Sequence, residues 1–434
     1  MNKFLLLLAF NIFTFQANAF LTNTEKENLT DTFLESSTKE IQTSLKKKIL
    51  SGKIINLSTD QSNYIKNNIE QFCSSLIWIR KLNLSESNIE NLPDAIGKLI
   101  NLEELDISEN KISTLPNTIG ELKKLKVLNI SENEISNLPN TIGDLTKLET
   151  LQIYGNKIET LPETISKLNQ LYALYAFSNN INIFPDTLRN SQLQILELYD
   201  NKISTLPDIT EGFNDLVELD LSNNKIEFLP HITGGLCQLK KLNLSGNQIK
   251  ITPDVLKKLT KLQDLNLSSN QIENLPDEIK ELSEIEELDL SDNQLKTLPN
   301  TIEELSELKK LFISNNQIET LPHTIGKLTK LKILDLSKNK NLLCLPSSLR
   351  NLRDSLSILK LKNTNIQINC EEDDLGKIDL EKIFGNRVSF SSHEEIIQKV
   401  SINPIFALAQ FINSDSFKLH ILMIAAYLEL INMY

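Results

Sequence analysis

The stretch Leu102-Glu103-Glu104-Leu105-Asp106-Ile107-Ser108-Glu109-Asn110-Lys111-Ile112 decides how this chain folds, because the same phrase keeps returning. It recurs as Leu125 to Ile135, Leu148 to Ile158, Leu262 to Ile272 and Leu308 to Ile318. With the first leucine as position one, position nine is Asn110, Asn133, Asn156, Asn179, Asn201, Asn224, Asn247, Asn270, Asn293, Asn316 and Asn339. The spacing is 23 residues, apart from a step of 22 between Asn179 and Asn201. Twelve of the 13 prolines, from Pro93 to Pro346, fall in one register of the same period, and only Pro404 stands outside it. A chain of 434 residues would ordinarily suggest about two or three globular domains. A fixed period of this size instead signals small units that stack and share one core.

Each position of the unit has a physical reading. Leu-x-Leu at positions four and six alternates inward and outward, as a short strand does. Stacked, these strands form a parallel sheet, and the Leu and Ile residues of successive coils fill one core. A buried Asn at position nine hydrogen-bonds turn backbone that would otherwise lack partners, which a hydrophobe cannot do. Leu-Pro at positions fourteen and fifteen forces extended or turn geometry. Ile at eighteen and Leu at twenty-one then turn the apolar face of a short helical or irregular return segment onto the core.

The pattern resembles the leucine-rich repeat family, in its class of 23 residues with Leu-Pro-x-x-Ile in the second half, over residues 79–370 and about thirteen units. The resemblance implies an α/β solenoid, a curved horseshoe with the parallel sheet on its concave face and helical caps at its ends. Ser87 and Thr364 replace Asn in the first and last units, where a coil has one neighbour. Thr210, Thr233 and Thr252 break the return-segment pattern, so those segments are expected to differ. Asn339-Lys340-Asn341-Leu342 widens the twelfth unit.

The flanks have their own logic. Met1-Asn2-Lys3, the apolar run from Phe4 and Ala17-Asn18-Ala19 read as an export signal over residues 1–19. Residues 20–78 read as an N-terminal cap, with Ile54-Ile55-Asn56-Leu57-Ser58 as a degenerate first strand and helical spacing in Tyr64, Ile65, Ile69 and Phe72. Residues 371–434 read as a C-terminal helical cap and tail, with Leu375, Ile378, Leu380, Ile383 and Phe384 at helical intervals. The stretch from Phe417 to Tyr434 contains His420 and Glu429 and reads as a packed or amphipathic helix too short to span a bilayer, with a membrane-surface contact or a lipid-anchor signal as alternatives. Sequons begin at Asn28, Asn56, Asn83, Asn129, Asn243 and Asn266, the last four following from the repeat phrase itself.

Composition narrows the function. A formal net charge of −12 speaks against nucleic acid, whose binders carry basic faces. Four His and 4 Cys leave little material for a metal site or a disulfide scaffold, and no cofactor motif is present. Cys344 and Cys370 fall in adjacent coils but three positions out of register, so four free thiols, mostly buried, are expected. Cys370-Glu371-Glu372-Asp373-Asp374 superficially resembles the catalytic cysteine of bacterial ubiquitin-ligase repeat proteins, but acids at a helix start explain it better. His231 and His323 follow repeat prolines and should lie on the surface.

On the concave side, positions two, three, five, seven and eight face solvent. Position seven is Ser in nine units, yet in units four, five and six it is Tyr154, Phe177 and Tyr199. Tyr172 and Tyr175 occupy positions two and five of unit five. Val127, Thr150, Ala173 and Ile195 leave position three uncharged nearby. Aromatic residues amid small polar ones suit a binding hot spot; stacking that steadies the short 22-residue unit is the competing explanation. A second candidate is the basic band Lys309, Lys310, Lys332, Lys338, Lys360 and Lys362, which follows the acids Glu286, Glu287, Asp289 and Asp292.

The function expected is that of a secreted, non-enzymatic scaffold that takes a protein or peptide on its concave face through Tyr154, Tyr172, Tyr175, Phe177 and Tyr199. A composition rich in Lys, Ile and Asn suits an AT-rich microbial genome and, with export, host interaction. The family resemblance also implies an alternative, an intracellular scaffold for Ras-type GTPases or phosphatases. An effector enzyme using Cys370 is the third.

Overall fold

Three residues per unit enter one sheet. In the computed structural model, which describes residues 22–390 apart from 36, 38, 55–58, 191, 208–211, 230–234, 251–256 and 372, these triplets build a 15-stranded parallel sheet ordered as in the chain. Leu105, Leu128, Leu151, Leu174 and Leu196 are register partners on successive strands, and all are buried. The expected signal, the tail from Phe417 and the irregular returns at Thr210, Thr233 and Thr252 lie outside the described residues, as does His231. His323 is exposed.

The return segments are short 3-10 helices. Pro116, extended at φ −68° and ψ 148°, precedes the one over Asn117–Glu121, and the Ile119 N–H donates to the Pro116 carbonyl. A 3-10 turn repeats every third residue, so Ile119 and Leu122 share a face and both are buried. The same geometry recurs after Pro139, Pro162, Pro276, Pro299 and Pro322. Between sheet and return lies one continuous core of Leu and Ile. Each fully buried side chain contributes about 1.5–3 kcal/mol, but only because a neighbouring coil covers it.

The asparagines form the ladder that the sequence implies. Asn133 Oδ1 accepts from the Ile112 N–H of the preceding coil at 2.9 Å. Its Nδ2 donates to the carbonyls of Ile107 at 3.0 Å, Ile130 at 3.2 Å and Ser131 at 3.0 Å. Asn110, Asn156, Asn179, Asn224 and Asn270 repeat this network. The tight turn before the ladder was not readable from the residues. Position eight is left-handed even where it is not Gly, as in Glu109 at φ 54°, Glu132 at 51° and Asp200 at 55°.

Both ends of the sheet carry helices. Helices α1 (Asn23–Leu34), α2 (Lys39–Ser51), α3 (Thr59–Asn67) and α4 (Ile69–Ser75) precede the first full unit. Thr22 and Glu25 form a capping box at the start of α1. Phe33 packs edge-to-face on Tyr64 and Phe72, with centroids 5.4 and 5.5 Å apart. The strand Lys53–Ile54 pairs with Lys81–Leu82, so the degenerate strand begins one residue before Ile54, while 55–58 lie outside the description. At the other end α5 (Lys377–Phe384) buries Leu380 and Phe384, and a strand that periodicity does not foretell, Val388–Ser389, pairs with Leu359–Lys360.

One cysteine expectation is corrected. Cys344 and Cys370 are joined by a disulfide, with Cα atoms 6.1 Å apart. Repeat positions mislead here because the chain stops following the repeat. The step from Ile333 to its register partner Ile358 is longer than the usual period, and Leu345–Pro346 pairs antiparallel with Asp374–Leu375. Gln367 N–H donates to the Leu343 carbonyl at 2.8 Å, laying the returning strand beside Cys344. Of the two remaining thiols Cys73 is buried, which pushes it up to about 12, and Cys237 is exposed.

Candidate functional site

In most coils the sheet face satisfies itself. The position-five side chain accepts from the Ser two residues on, an Asx-type turn. Asp106 Oδ1 accepts from Ser108 N–H at 3.0 Å and Ser108 Oγ at 2.6 Å. Asn129 with Ser131, Asp220 with Ser222, Asn243 with Ser245 and Asn266 with Ser268 repeat the pair. The same bonds occupy the side chains of the sequon residues Asn83, Asn129, Asn243 and Asn266, whereas Asn28 stands exposed on α1.

Units four to six abandon both halves of that pair together. Position five becomes Gln152, Tyr175 and Glu197, and position seven becomes Tyr154, Phe177 and Tyr199. Gln152, Tyr175 and Glu197 are register partners on adjacent strands. Because equivalent side chains on neighbouring strands lie about 4.8 Å apart, the position-seven rings stack. Tyr154 and Phe177 have centroids 4.4 Å apart and Phe177 and Tyr199 4.3 Å, both pairs within 8° of parallel. Each such contact is worth about 0.5–1.5 kcal/mol beyond burial. The three rings are therefore half-buried, with Phe177 covered on both faces. Tyr175 is half-buried on its own row, and Tyr172 is the most exposed aromatic of the five at 46%.

The electrostatics of this face are one-sided. At positions three, five, seven and eight of units two to seven stand Glu104, Asp106, Glu109, Glu132, Glu197, Asp200, Glu218 and Asp220, with no Lys or Arg. Lys81 and Lys241 reach in from the flanking units to pair with Glu104 and Glu218. Glu197 has no such partner among the described residues. Burial, then Asp220 and Glu218, push its carboxyl up to about 7. Burial, followed by Glu197, also raises the Tyr175 and Tyr199 hydroxyls. Burial raises Tyr154 as well, tempered by its hydrogen bond with Ser131. On the other side of Tyr175, the buried Gln152 Oε1 has no hydrogen-bond partner.

The structure thus brings Tyr154, Phe177 and Tyr199 into one stack and sets Tyr175 and Tyr172 beside it as separate rings. Glu197 and Gln152 were missed by sequence reasoning, although position five carried the signal: both break its Asn/Asp habit. Three of the six lysines of the basic band are paired with acids of the neighbouring coil. Lys309 meets Glu286 at 2.6 Å, Lys310 meets Glu287 at 2.7 Å and Lys360 meets Asp335 at 3.0 Å. Among the described residues no cluster of His, Cys, Asp and Glu could hold a metal ion, and no helix is long and apolar enough to cross a membrane.

Comparison with known proteins converges on one family. A family model described as a leucine-rich repeat region matches residues 50–134, 122–194 and 256–373, and a second leucine-rich repeat model matches residues 191–249. No curated protein matches the sequence. A leucine-rich repeat protein of Leptospira interrogans is 29% identical, with a TM-score of 0.65 over 80% of this chain and 98% of that one. A plant peptide hormone receptor, solved in complex with RGF2, is 26% identical with a TM-score of 0.55 over 68% of this chain, which spans 53% of the receptor. An internalin of Listeria monocytogenes shares the fold, with 21% identity and a TM-score of 0.61 over 85% of this chain and 95% of that one.

Proposed function

This chain belongs to the leucine-rich repeat family, a fold that serves as a binding scaffold, and on that premise we infer that it is an exported, non-enzymatic recognition protein whose concave sheet face takes a protein or peptide at units four to six. The observation that carries the site is the joint loss of the position-five and position-seven pair. In most other coils that face is closed by its own hydrogen bonds, and here it offers rings and unpartnered acceptors. Tyr172, Tyr175 and the edges of Tyr154, Phe177 and Tyr199 form the contact area, with few rotamers to freeze on binding. The plant receptor solved with RGF2 supports a peptide-sized occupant, by likeness of fold.

The Cys344–Cys370 bond supports an oxidising compartment, consistent with the signal read in residues 1–19, and weighs against the cytoplasmic scaffold for GTPases or phosphatases. With its sulfur bonded, Cys370 has no thiolate to offer as a nucleophile. Export and a composition suited to an AT-rich genome favour a partner outside the producing cell, on a host. The test is affinity capture by the mature chain beside a Tyr175→Ala, Phe177→Ala variant whose fold is checked by circular dichroism. Selective loss of one captured partner supports the face; identical capture by both proteins removes it.

A further inference from the structure

Two acceptors on the aromatic face stand without a donor. Gln152 Oε1 is buried without a donor, and Glu197, its equivalent two strands away, has neither cation nor hydrogen-bond donor on its carboxylate among the described residues. A buried acceptor left without a donor costs about 1–3 kcal/mol, and half-burying a carboxylate costs more unless a positive charge joins it. Between the two stands Tyr175, and alongside run the stacked rings. Asp200, Glu218 and Asp220 add negative charge in units six and seven. Other acids of this chain sit opposite lysines one coil away, as Glu286 and Glu287 do. In units four to six the sheet rows that hold the rings contain no lysine or arginine at all.

We propose that this face recognises an extended cationic peptide segment, with an arginine or lysine side chain lying over Tyr175 and donating to Glu197 and another donor reaching Gln152. The proposal rests on the binding face inferred above and adds the chemistry of its occupant. Charge complementarity selects the ligand: a cation is held by ring faces and by carboxylates at once, and no other class of side chain satisfies both. Acceptors about 9.6 Å apart, two strand spacings, suit two residues of one extended chain rather than a single small cation. The rise of the Glu197 carboxyl to about 7 fits a group waiting for a counter-charge. A guanidinium fits better than an ammonium, because its plane stacks on a ring while its N–H groups point sideways.

The experiment uses the full mature chain and a fluorescein-labelled nona-arginine peptide, with the nona-citrulline isostere and nona-glutamate in parallel, read by fluorescence anisotropy near physiological salt. Expected are binding of nona-arginine, affinity weaker by about tenfold or more in Glu197→Gln and in Tyr175→Ala, and little change in Asp264→Asn. That last variant removes one charge from the same sheet face in unit nine. Equal losses in Glu197→Gln and Asp264→Asn would mean attraction to net charge alone and would overturn the proposal. So would equal affinity for the citrulline and arginine peptides, or no binding of nona-arginine. Glu197→Gln is isosteric, so the outcome does not hinge on a destabilised variant. If arginine binding fails while partner capture still depends on Tyr175 and Phe177, the face stands and only its cationic occupant is lost; if both fail, the face falls too.

Discussion

Units four to six and units eight to nine are built on the same frame and end in opposite states. In units eight and nine, Asn243 with Ser245 and Asn266 with Ser268 close the sheet face by hydrogen bonds between its own side chains. In units four to six the frame is equally regular: strand register is unbroken and the ladder asparagines Asn156, Asn179 and Asn201 keep their bonds. The outward pair differs. A repeat therefore holds its fold in positions that never vary in role, and leaves other positions free to carry a site.

The largest expected effect tests the shared frame. Asn156→Leu in the aromatic region and Asn270→Leu in unit nine each strand several buried backbone groups, so each should cost about 3 kcal/mol or more in urea unfolding. A large difference between them would mean that the two regions do not share one frame. The next effect comes from rebuilding the closed pair in unit five. Tyr175→Asn with Phe177→Ser removes two ring contacts and restores one Asn–Ser pair, for a net loss of about 1–2 kcal/mol. The same variant should lose partner capture, and retention of both partner and stability would dissolve the contrast.

Smaller substitutions sharpen it at single acceptors. Asn266→Ala leaves the Ser268 N–H without its partner and should destabilise by about 1 kcal/mol. Gln152→Met removes an acceptor that has no donor, so in thermal melts of the free protein it should be neutral or slightly stabilising. The last effect is pH-dependent. Glu197 faces Asp220, Glu218 and the hydroxyls of Tyr175 and Tyr199, and its folded pKa is raised from 4.5 to about 7. The folded state therefore holds the extra proton between those values, and stability falls as pH rises through that window. Glu197→Gln should match wild type in unfolding free energy below pH 4.5 and exceed it above pH 7, on the order of 1 kcal/mol after solvent screening. A gap that persists at pH 4 would trace to packing instead of charge.

Much of this was legible in the residues, because a period repeats its evidence. Leu105 and Ile107, Asn110, Pro116 and Ile119 each recur with one role, and the strand, ladder and return segment follow from them. Tyr154, Phe177 and Tyr199 stood out against nine serines, though their mutual stacking needed the strand spacing to be seen. What stayed hidden depends on local backbone or on side-chain pairs. Glu109 and Asp200 give no hint of left-handed turns, since glycine fills that position only at Gly155 and Gly246. Cys344 and Cys370 meet through an antiparallel return outside the period. Glu197 looks like any surface acid until the donors around it are counted.

The asparagine ladder has a mechanical meaning as well. Each Asn fastens its own turn to the coil before it, as Asn133 joins Ile130 to Ile107 and Ile112, so load passes only between neighbours. Tension applied along the solenoid axis would therefore peel coils in sequence from a free end. Each 23-residue coil that lets go would add about 80 Å of slack, a staircase with equal treads except at the segment closed by the Cys344–Cys370 bond, whose length is withheld.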